Sequence, residues 1–157
     1  MEVKVIRSPR RRKTVQARQV GQVLQVSIPA WMSTADEERH VAEMVRRMQR
    51  RRESSVVDLP ARAAALASAY GLDRPASIRW VDNQEWRWGS CTPADGTIRI
   101  SSRLAREPAW VLDYVIVHEL AHLSQPGHGD GFWELVNRYP RTERARGFLI
   151  ARGMEPV

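Results

Sequence analysis

Three of the four histidines in this chain lie within eleven residues, with a glutamate between the first two. The stretch reads His118-Glu119-Leu120-Ala121-His122, and His128 follows six residues later. On a helix, residues four apart lie above one another on one face, so the first two imidazoles are placed to bind one metal ion. Glu119 would lie on the flank of that face, within reach of a metal-bound water. The spacing therefore indicates the ligands and the general base of a zinc hydrolase.

The same pattern also occurs in helices that bind no metal, where it is only two histidines and a surface glutamate. Here residues 110–117 are mostly apolar on every side, which is typical of a helix buried in a core. Buried histidines and a buried carboxylate are costly to desolvate, and a metal ion is the simplest compensation. Pro126-Gly127 should end the helix and let His128 approach the other two histidines. Three histidines leave a fourth tetrahedral position for water, as in a catalytic site.

A second informative stretch is the run Trp-Arg-Trp-Gly-Ser-Cys that ends at Cys91. A glycine inside a strand usually marks a bulge or a close backbone approach, so Gly89 and Ser90 are candidate contacts beside the metal or the substrate. One interpretation is a strand along a cleft that pairs with an extended substrate. The other is that Trp86 and Trp88 simply pack one face of a sheet. Cys91 is a candidate fourth ligand, although a lone cysteine is more often a small buried residue.

Alternating apolar and polar residues predict six short strands, and helical periodicity with capping signals predicts five helices. The strands are Val3–Arg7, Thr14–Val20, Gln22–Ile28, Ser77–Val81, Glu85–Ser90 and Thr97–Ser101. The helices run from Thr34 to about Arg52, from Asp58 to Gly71, from Pro108 to Leu123, and over Gly131–Tyr139 and Thr142–Arg152. These elements predict an α+β fold, with small, mostly antiparallel sheets packed against the HExxH helix and its flanking helices.

The length of 157 residues predicts one domain over residues 1–157, with a basic strand-and-helix part at 1–53 and a metal-site part at 54–157. No run of 18 apolar residues is present, so no membrane span or membrane partner is expected. The N-terminal residues lack the apolar stretch of a signal peptide. Cys91 is the only cysteine, which excludes an internal disulfide and favours a reducing, cytoplasmic location.

The positive charge is concentrated in the N-terminal third of the chain. Residues 1–53 hold 13 Lys and Arg against 6 Asp and Glu, whereas residues 54–157 hold 12 of each. Such a surface can bind nucleic acid through phosphate contacts. The sequence shows no base-reading or base-stacking module beside the charge, so a solvated arginine-rich surface is the favoured interpretation.

Four motifs follow one another along the chain. They are Arg-Trp-Gly-Ser-Cys at 87–91, Gly-Thr-Ile-Arg-Ile at 96–100, Asp-Tyr-Val-Ile-Val-His-Glu-Leu-Ala-His at 113–122 and Gly-His-Gly-Asp-Gly-Phe-Trp at 127–133. With the opening Ser-Pro-Arg-Arg-Arg-Lys-Thr at 8–14, this order resembles the YgjP-like family of small bacterial zincin-type metallopeptidase homologues, which are related to the SprT-like and WLM groups. The resemblance implies a zincin-like fold and peptidase activity, with zinc held by His118, His122 and His128 and with Glu119 as the general base.

The spacing of the three histidines also coincides with that of the metzincins. Their glycine falls three residues after the second histidine, where this chain has Gln125, and Gly127 comes two residues later. The YgjP-like resemblance therefore fits the sequence better.

The expected reaction is attack of water on a carbonyl carbon of a protein or peptide, with Glu119 taking up the proton and returning it to the leaving amine. One more donor should stabilise the oxyanion, and the candidates are Arg87, Tyr114 and Tyr139. Candidate acceptors for the imidazole N–H groups are Asp113 and Asp130. Two alternatives stay open: a metal-dependent hydrolase of a non-peptide substrate such as a nucleotide phosphoanhydride, and a DNA-associated protease like the SprT-like relatives.

Overall fold

The computed structural model describes residues 1–153. The chain divides between Arg51 and Arg52 into two compact units. The first combines one helix with a three-stranded sheet and the second combines several helices with another, so the predicted α+β class is confirmed. The prediction that the whole chain forms one domain stays a prediction. Within the described residues, none of the helices has the length and apolar character needed to cross a membrane.

The first unit is a small sheet covered by one long helix. Its elements are β1 (Glu2–Ser8), β2 (Gln16–Val20), β3 (Val23–Pro29) and α1 (Thr34–Ser54), the last of which ends just beyond the unit boundary. The strand order is β1-β3-β2, with β1 parallel and β2 antiparallel to β3. Alternate residues of β3 are buried and pack with the apolar stripe of α1, which includes Val41, Met44 and Met48.

The second unit surrounds one buried helix. Its elements are α2 (Leu59–Tyr70), β4 (Ser77–Val81), β5 (Gly89–Thr92), β6 (Thr97–Ser101), a 3₁₀ helix (Ser102–Arg106), α3 (Ala109–Ala121), α4 (Asp130–Val136) and α5 (Thr142–Ala151). The strand order is β4-β6-β5, with β4 parallel and β5 antiparallel to β6. Both sheets are therefore mixed, where mostly antiparallel sheets were expected.

The ends of α2 lie where local chemistry predicts them. Asp58 is the N-cap, and its side chain accepts a hydrogen bond of 3.0 Å from the backbone N–H of Ala61. Gly71 closes the helix at φ +64°, a left-handed conformation that residues with a Cβ adopt at a cost.

One predicted strand is displaced along the chain. Glu85–Ser90 was expected to be extended, but the segment before Gly89 bends and β5 occupies Gly89–Thr92. Trp86 is 85% exposed, whereas Trp88 is buried with the Arg103 guanidinium 4.6 Å from its ring centroid. The two tryptophans therefore do not share a packed sheet face.

Helix α3 forms the centre of the second unit, with ten of its 13 residues buried. Its surface-facing Asp113 accepts two hydrogen bonds from Arg62 of α2, with Nε–Oδ1 at 2.5 Å and Nη2–Oδ2 at 3.0 Å. The paired donors and acceptors fix α2 against the first half of α3, the helix that carries His118 and Glu119.

We expect Asp113→Asn to lower the free energy of unfolding by about 1 kcal/mol, because one of two charge-assisted hydrogen bonds at a partly exposed site is removed. Chemical denaturation of the metal-free protein measures this change. Glu143→Gln is the matched control, since its pair with Arg146 lies on one exposed turn of α5. Equal losses of stability in the two variants would contradict the assigned role of the Arg62–Asp113 pair.

Candidate metal centre and cleft

The three histidines of the motif converge at the end of α3. His118 lies in the last turn of the helix, His122 directly follows its end, and His128 comes from the loop before α4. One ring nitrogen from each lies within 4.8 Å of the others, and among the described residues these three form the group able to hold a metal ion. The predicted convergence of His128 on the helical pair is confirmed. Cys91 lies outside this group.

A backbone hydrogen bond determines which nitrogen of His122 faces the other rings. His122 Nδ1 lies 2.9 Å from the carbonyl oxygen of Gln125. A carbonyl only accepts, so Nδ1 carries the hydrogen and Nε2 keeps its lone pair for a ligand. The turn after α3 thus leaves Nε2 as the nitrogen of His122 that could bind a metal ion.

His118 has a side-chain partner one helical turn earlier. The Tyr114 hydroxyl oxygen lies 3.4 Å from His118 Nδ1, and both side chains are buried. The i, i+4 spacing places the two groups on one face of α3. With Nδ1 facing Tyr114, Nε2 is the nitrogen left for a metal.

Phe132 packs against all three imidazoles. Its ring centroid lies 4.9 Å from that of His118, 4.4 Å from that of His122 in a stacked arrangement, and 4.8 Å from that of His128. Phe132 is fully buried in α4, so it holds the rings from their apolar side. In the sequence this residue is only part of a motif, and its contact with the histidines was not predicted.

Burial favours the neutral form of two of the imidazoles. It lowers the pKa of His118 to about 3, and the neighbouring histidines contribute in the same direction. Burial also lowers the pKa of His122. Neutral imidazole is the form that binds metal ions, so this donor set fits a divalent ion such as zinc.

Glu119 is buried beside the histidines and lies directly against β5. Burial raises the pKa of its carboxyl to about 8, and the positive charge of Arg87 partly opposes this shift. A Cβ on Gly89 would lie 2.7 Å from Glu119 Oε1 and 2.9 Å from its Cγ. The close backbone approach predicted for Gly89 is therefore confirmed, and only glycine leaves room for the carboxylate in this position.

A cleft of about 270 Å³ opens over these groups. Its lining includes Arg87, Gly89, Ser90, Cys91, His118, Glu119, His122 and His128. Three of the predicted substrate-side residues thus border the same opening as the histidines. Ser90 Oγ accepts a hydrogen bond of 2.6 Å from Gln84, a neighbour that was not predicted from the sequence.

Several other candidates lie elsewhere. Tyr114 borders a small cavity of about 20 Å³ together with Gly89, His118 and Glu119, and its hydroxyl oxygen faces His118 Nδ1, so its role as an oxyanion or substrate contact stays a prediction. The Tyr139 hydroxyl donates to the backbone carbonyl of Trp110 at 2.9 Å. Asp113 binds Arg62, as described above, and Asp130 is an exposed residue of the first turn of α4.

Two solved structures share this fold. The metallopeptidase zymogen abylysin of Pyrococcus abyssi aligns with a TM-score of 0.55 and 20% identity, covering 62% of this chain and 97% of that one. The metallopeptidase zymogen jannalysin of Methanocaldococcus jannaschii aligns with a TM-score of 0.53 and 16% identity, covering 62% of this chain and 99% of that one. At these identities the likeness concerns the fold. No curated protein matches the sequence.

The family resemblance seen in the motifs is confirmed by a family model. The model of the YgjP-like metallopeptidase domain matches residues 10–149, which include β5, the three histidines and Glu119. Because this match spans most of the 157 residues, the chain belongs to the YgjP-like metallopeptidase family.

Proposed function

We propose that this protein is a zinc-dependent peptidase in which His118, His122 and His128 bind the ion and Glu119 is the general base. The observation that carries the proposal is the convergence of three imidazoles beside a buried carboxyl group in one open cleft. Family membership supports the same reaction class. The single cysteine favours a reducing environment, and we place the protein in the cytoplasm on that basis.

The ligand set suits zinc in number and type. Three imidazole nitrogens with one position left open are the arrangement of a catalytic rather than a structural zinc site. When bound, zinc supplies a positive charge that lowers the pKa of water toward about 7 and favours the ionised form of a nearby carboxylate. Tyr114 and the carbonyl of Gln125 orient the imidazoles from behind.

Glu119 is placed to move the proton. Its carboxylate lies in the cleft next to His118, where it would accept a proton from water as the carbonyl carbon is attacked. It would then return that proton to the leaving amine. The carboxylate occupies the space that a Cβ on Gly89 would need, which restricts where Oε1 can lie.

Arg87 is the candidate that we favour for stabilising the oxyanion. Its charge acts on Glu119, and its side chain borders the cleft, whereas the hydroxyls of Tyr114 and Tyr139 are engaged elsewhere. A guanidinium provides several N–H donors for a developing negative charge.

The edge of the second sheet supports an extended peptide as substrate. Within residues 1–153, β5 pairs with β6 on one side and is the edge strand of its sheet. Gly89 and Ser90 of this strand also line the cleft. An extended peptide can pair with the main chain of such an edge while its carbonyl faces the histidines.

Hydrolysis of a nucleotide phosphoanhydride receives less support from the cleft. Among the described residues that line it, Arg87 is the cationic one. A triphosphate would require several donors or cations around it.

The decisive experiment compares the parent protein with Glu119→Gln on an unbiased peptide library read by mass spectrometry. We expect both to bind one zinc ion per chain, while cleavage falls by at least about a hundred-fold in the variant, because the base is removed. His118→Ala should no longer bind the metal, whereas His40→Ala should keep it, since His40 belongs to α1. Equal cleavage by Glu119→Gln would contradict the mechanism, and absent zinc binding by the parent would contradict the site.

Gly89→Ala should impair catalysis without removing the metal. The new Cβ would collide with Glu119 and displace its carboxylate, so we expect kcat to fall about ten-fold or more. Gly147→Ala is the control, because a Cβ at that position meets no atom within 4 Å. Zinc content measured on both variants separates a displaced base from an empty metal site; unchanged kcat in Gly89→Ala would argue against the role of Glu119.

Tyr114→Phe should weaken zinc binding about ten-fold or more, because the variant removes the hydroxyl partner of His118 Nδ1. Competition with a chromophoric chelator measures the affinity directly. Tyr139→Phe removes a comparable hydroxyl that contacts a backbone carbonyl instead, and it should leave the affinity unchanged. Equal affinities for the parent and Tyr114→Phe would show that the hydroxyl does not orient His118.

A further inference from the structure

Trp31 is an exposed aromatic residue that the surrounding structure holds in place. It lies between β3 and α1, outside the apolar core of the first unit, and its side chain is 69% exposed. Exposed tryptophan leaves a large apolar surface in water, and such residues are enriched at binding sites.

Hydrogen bonds fix both the ring and the backbone of this residue. The indole Nε1–H donates to the carbonyl oxygen of Arg12 at 3.1 Å. The Arg7 guanidinium donates to the carbonyls on either side of Trp31, at 3.1 Å for Ala30 and 2.8 Å for Met32. The same guanidinium pairs with Glu37, which anchors it to α1. The ring is thus oriented before any partner binds, which lowers the entropy cost of binding.

The loop that holds the ring is strongly basic. Residues 9–15 connect β1 to β2 and include three cations with exposed side chains, Arg10, Arg12 and Lys13. Arg11 shapes the loop by donating to Thr14 at 3.1 Å and to Gln16 at 2.5 Å. The structure therefore brings together an exposed ring and a cluster of cations, a combination that could not be predicted from the sequence.

We propose that Trp31 and the loop of residues 9–15 bind single-stranded nucleic acid. A base stacks on the indole face, and Arg10, Arg12 and Lys13 contact the phosphates on either side of it. Stacking requires a base that is free of its pairing partner, so the surface selects single strands over duplexes. Arginine outnumbers lysine in this loop, and its planar group binds phosphate oxygens in pairs.

The first arm of the test measures the contribution of the ring. Fluorescence anisotropy with labelled oligo(dT) and oligo(U) of about 20 nucleotides should show binding that falls about ten-fold or more in Trp31→Ala. Trp31→Phe should keep most of the affinity because it can still stack, whereas Trp31→Leu should bind as weakly as Trp31→Ala. Trp86→Ala is the control, since Trp86 is also exposed but lies in the second unit.

The second arm measures the contribution of the charge. In Arg12→Gln with Lys13→Gln, the hydrogen bond from Trp31 to the carbonyl of residue 12 persists because it involves the backbone. The slope of log K against log salt should become shallower by about 0.7 for each phosphate that the variant no longer neutralises. Arg74→Gln with Arg141→Gln removes the same charge from exposed sites of the second unit and should leave the slope unchanged. Comparing oligo(dT) with oligo(U) distinguishes DNA from RNA as the preferred strand.

Four outcomes would overturn the proposal. These are no binding of either oligonucleotide, an affinity that Trp31→Ala leaves unchanged, binding of a duplex of the same length as tightly as the single strand, and displacement of the labelled strand by polyglutamate as effectively as by unlabelled oligonucleotide. Anionic vesicles that bind the parent and Trp31→Leu equally, with no oligonucleotide binding, would identify a membrane surface instead. Binding by Glu119→Gln and His118→Ala should match that of the parent, so this test succeeds or fails independently of the peptidase proposal.

Discussion

The burial of His118 and Glu119 at the end of an apolar helix is the constraint on which the second unit depends. Ten of the 13 residues of α3 are buried, and eight of these ten are apolar side chains or tyrosine. Two ionisable groups in such surroundings destabilise the fold unless they are neutral or compensated. The cost of burying a charge lowers the pKa of His118 and raises the pKa of Glu119, so each shift favours the neutral form. A dication compensates both, since it binds a neutral imidazole and favours a carboxylate.

The elements around α3 supply what this arrangement needs. Phe132 from α4 fills the apolar side of the imidazole cluster, and Gly89 from β5 leaves the space that the carboxylate occupies. Phe132 thus fills space beside the imidazoles, whereas Gly89 leaves space for the carboxylate. Packing and backbone hydrogen bonds thus hold the imidazoles and the carboxyl group in place, so less entropy is lost on binding than with flexible side chains.

Features set by local chemistry were predictable from the sequence. Asp58 and Gly71 mark the two ends of α2. Both ends were predictable because helix capping and a left-handed glycine depend only on a few neighbouring residues. The convergence of the histidines followed from helical spacing and one breaker pair. The limits of β5 did not follow from the sequence, because they depend on which of two tryptophans packs into the core. Trp88 is buried and Trp86 is exposed, although they are the same residue type two positions apart. Spacing places Tyr114 and His118 on one face of the helix, but the contact of the Tyr114 hydroxyl with His118 Nδ1 depends on side-chain conformation, which the sequence does not give.

The same principle of orientation before binding operates at both candidate surfaces. Tyr114 and the carbonyl of Gln125 hold two imidazoles, and Arg7 and the carbonyl of Arg12 hold Trp31. In each case the fold restrains a group that would otherwise be mobile or would pack into the core. The excess charge belongs to residues 1–53, whereas residues 54–157 have equal numbers of cations and anions. The net positive charge that would attract a polyanion therefore belongs to the first unit, and under the proposed peptidase function selection at the cleft would come from short-range contacts such as those of β5 and Arg87.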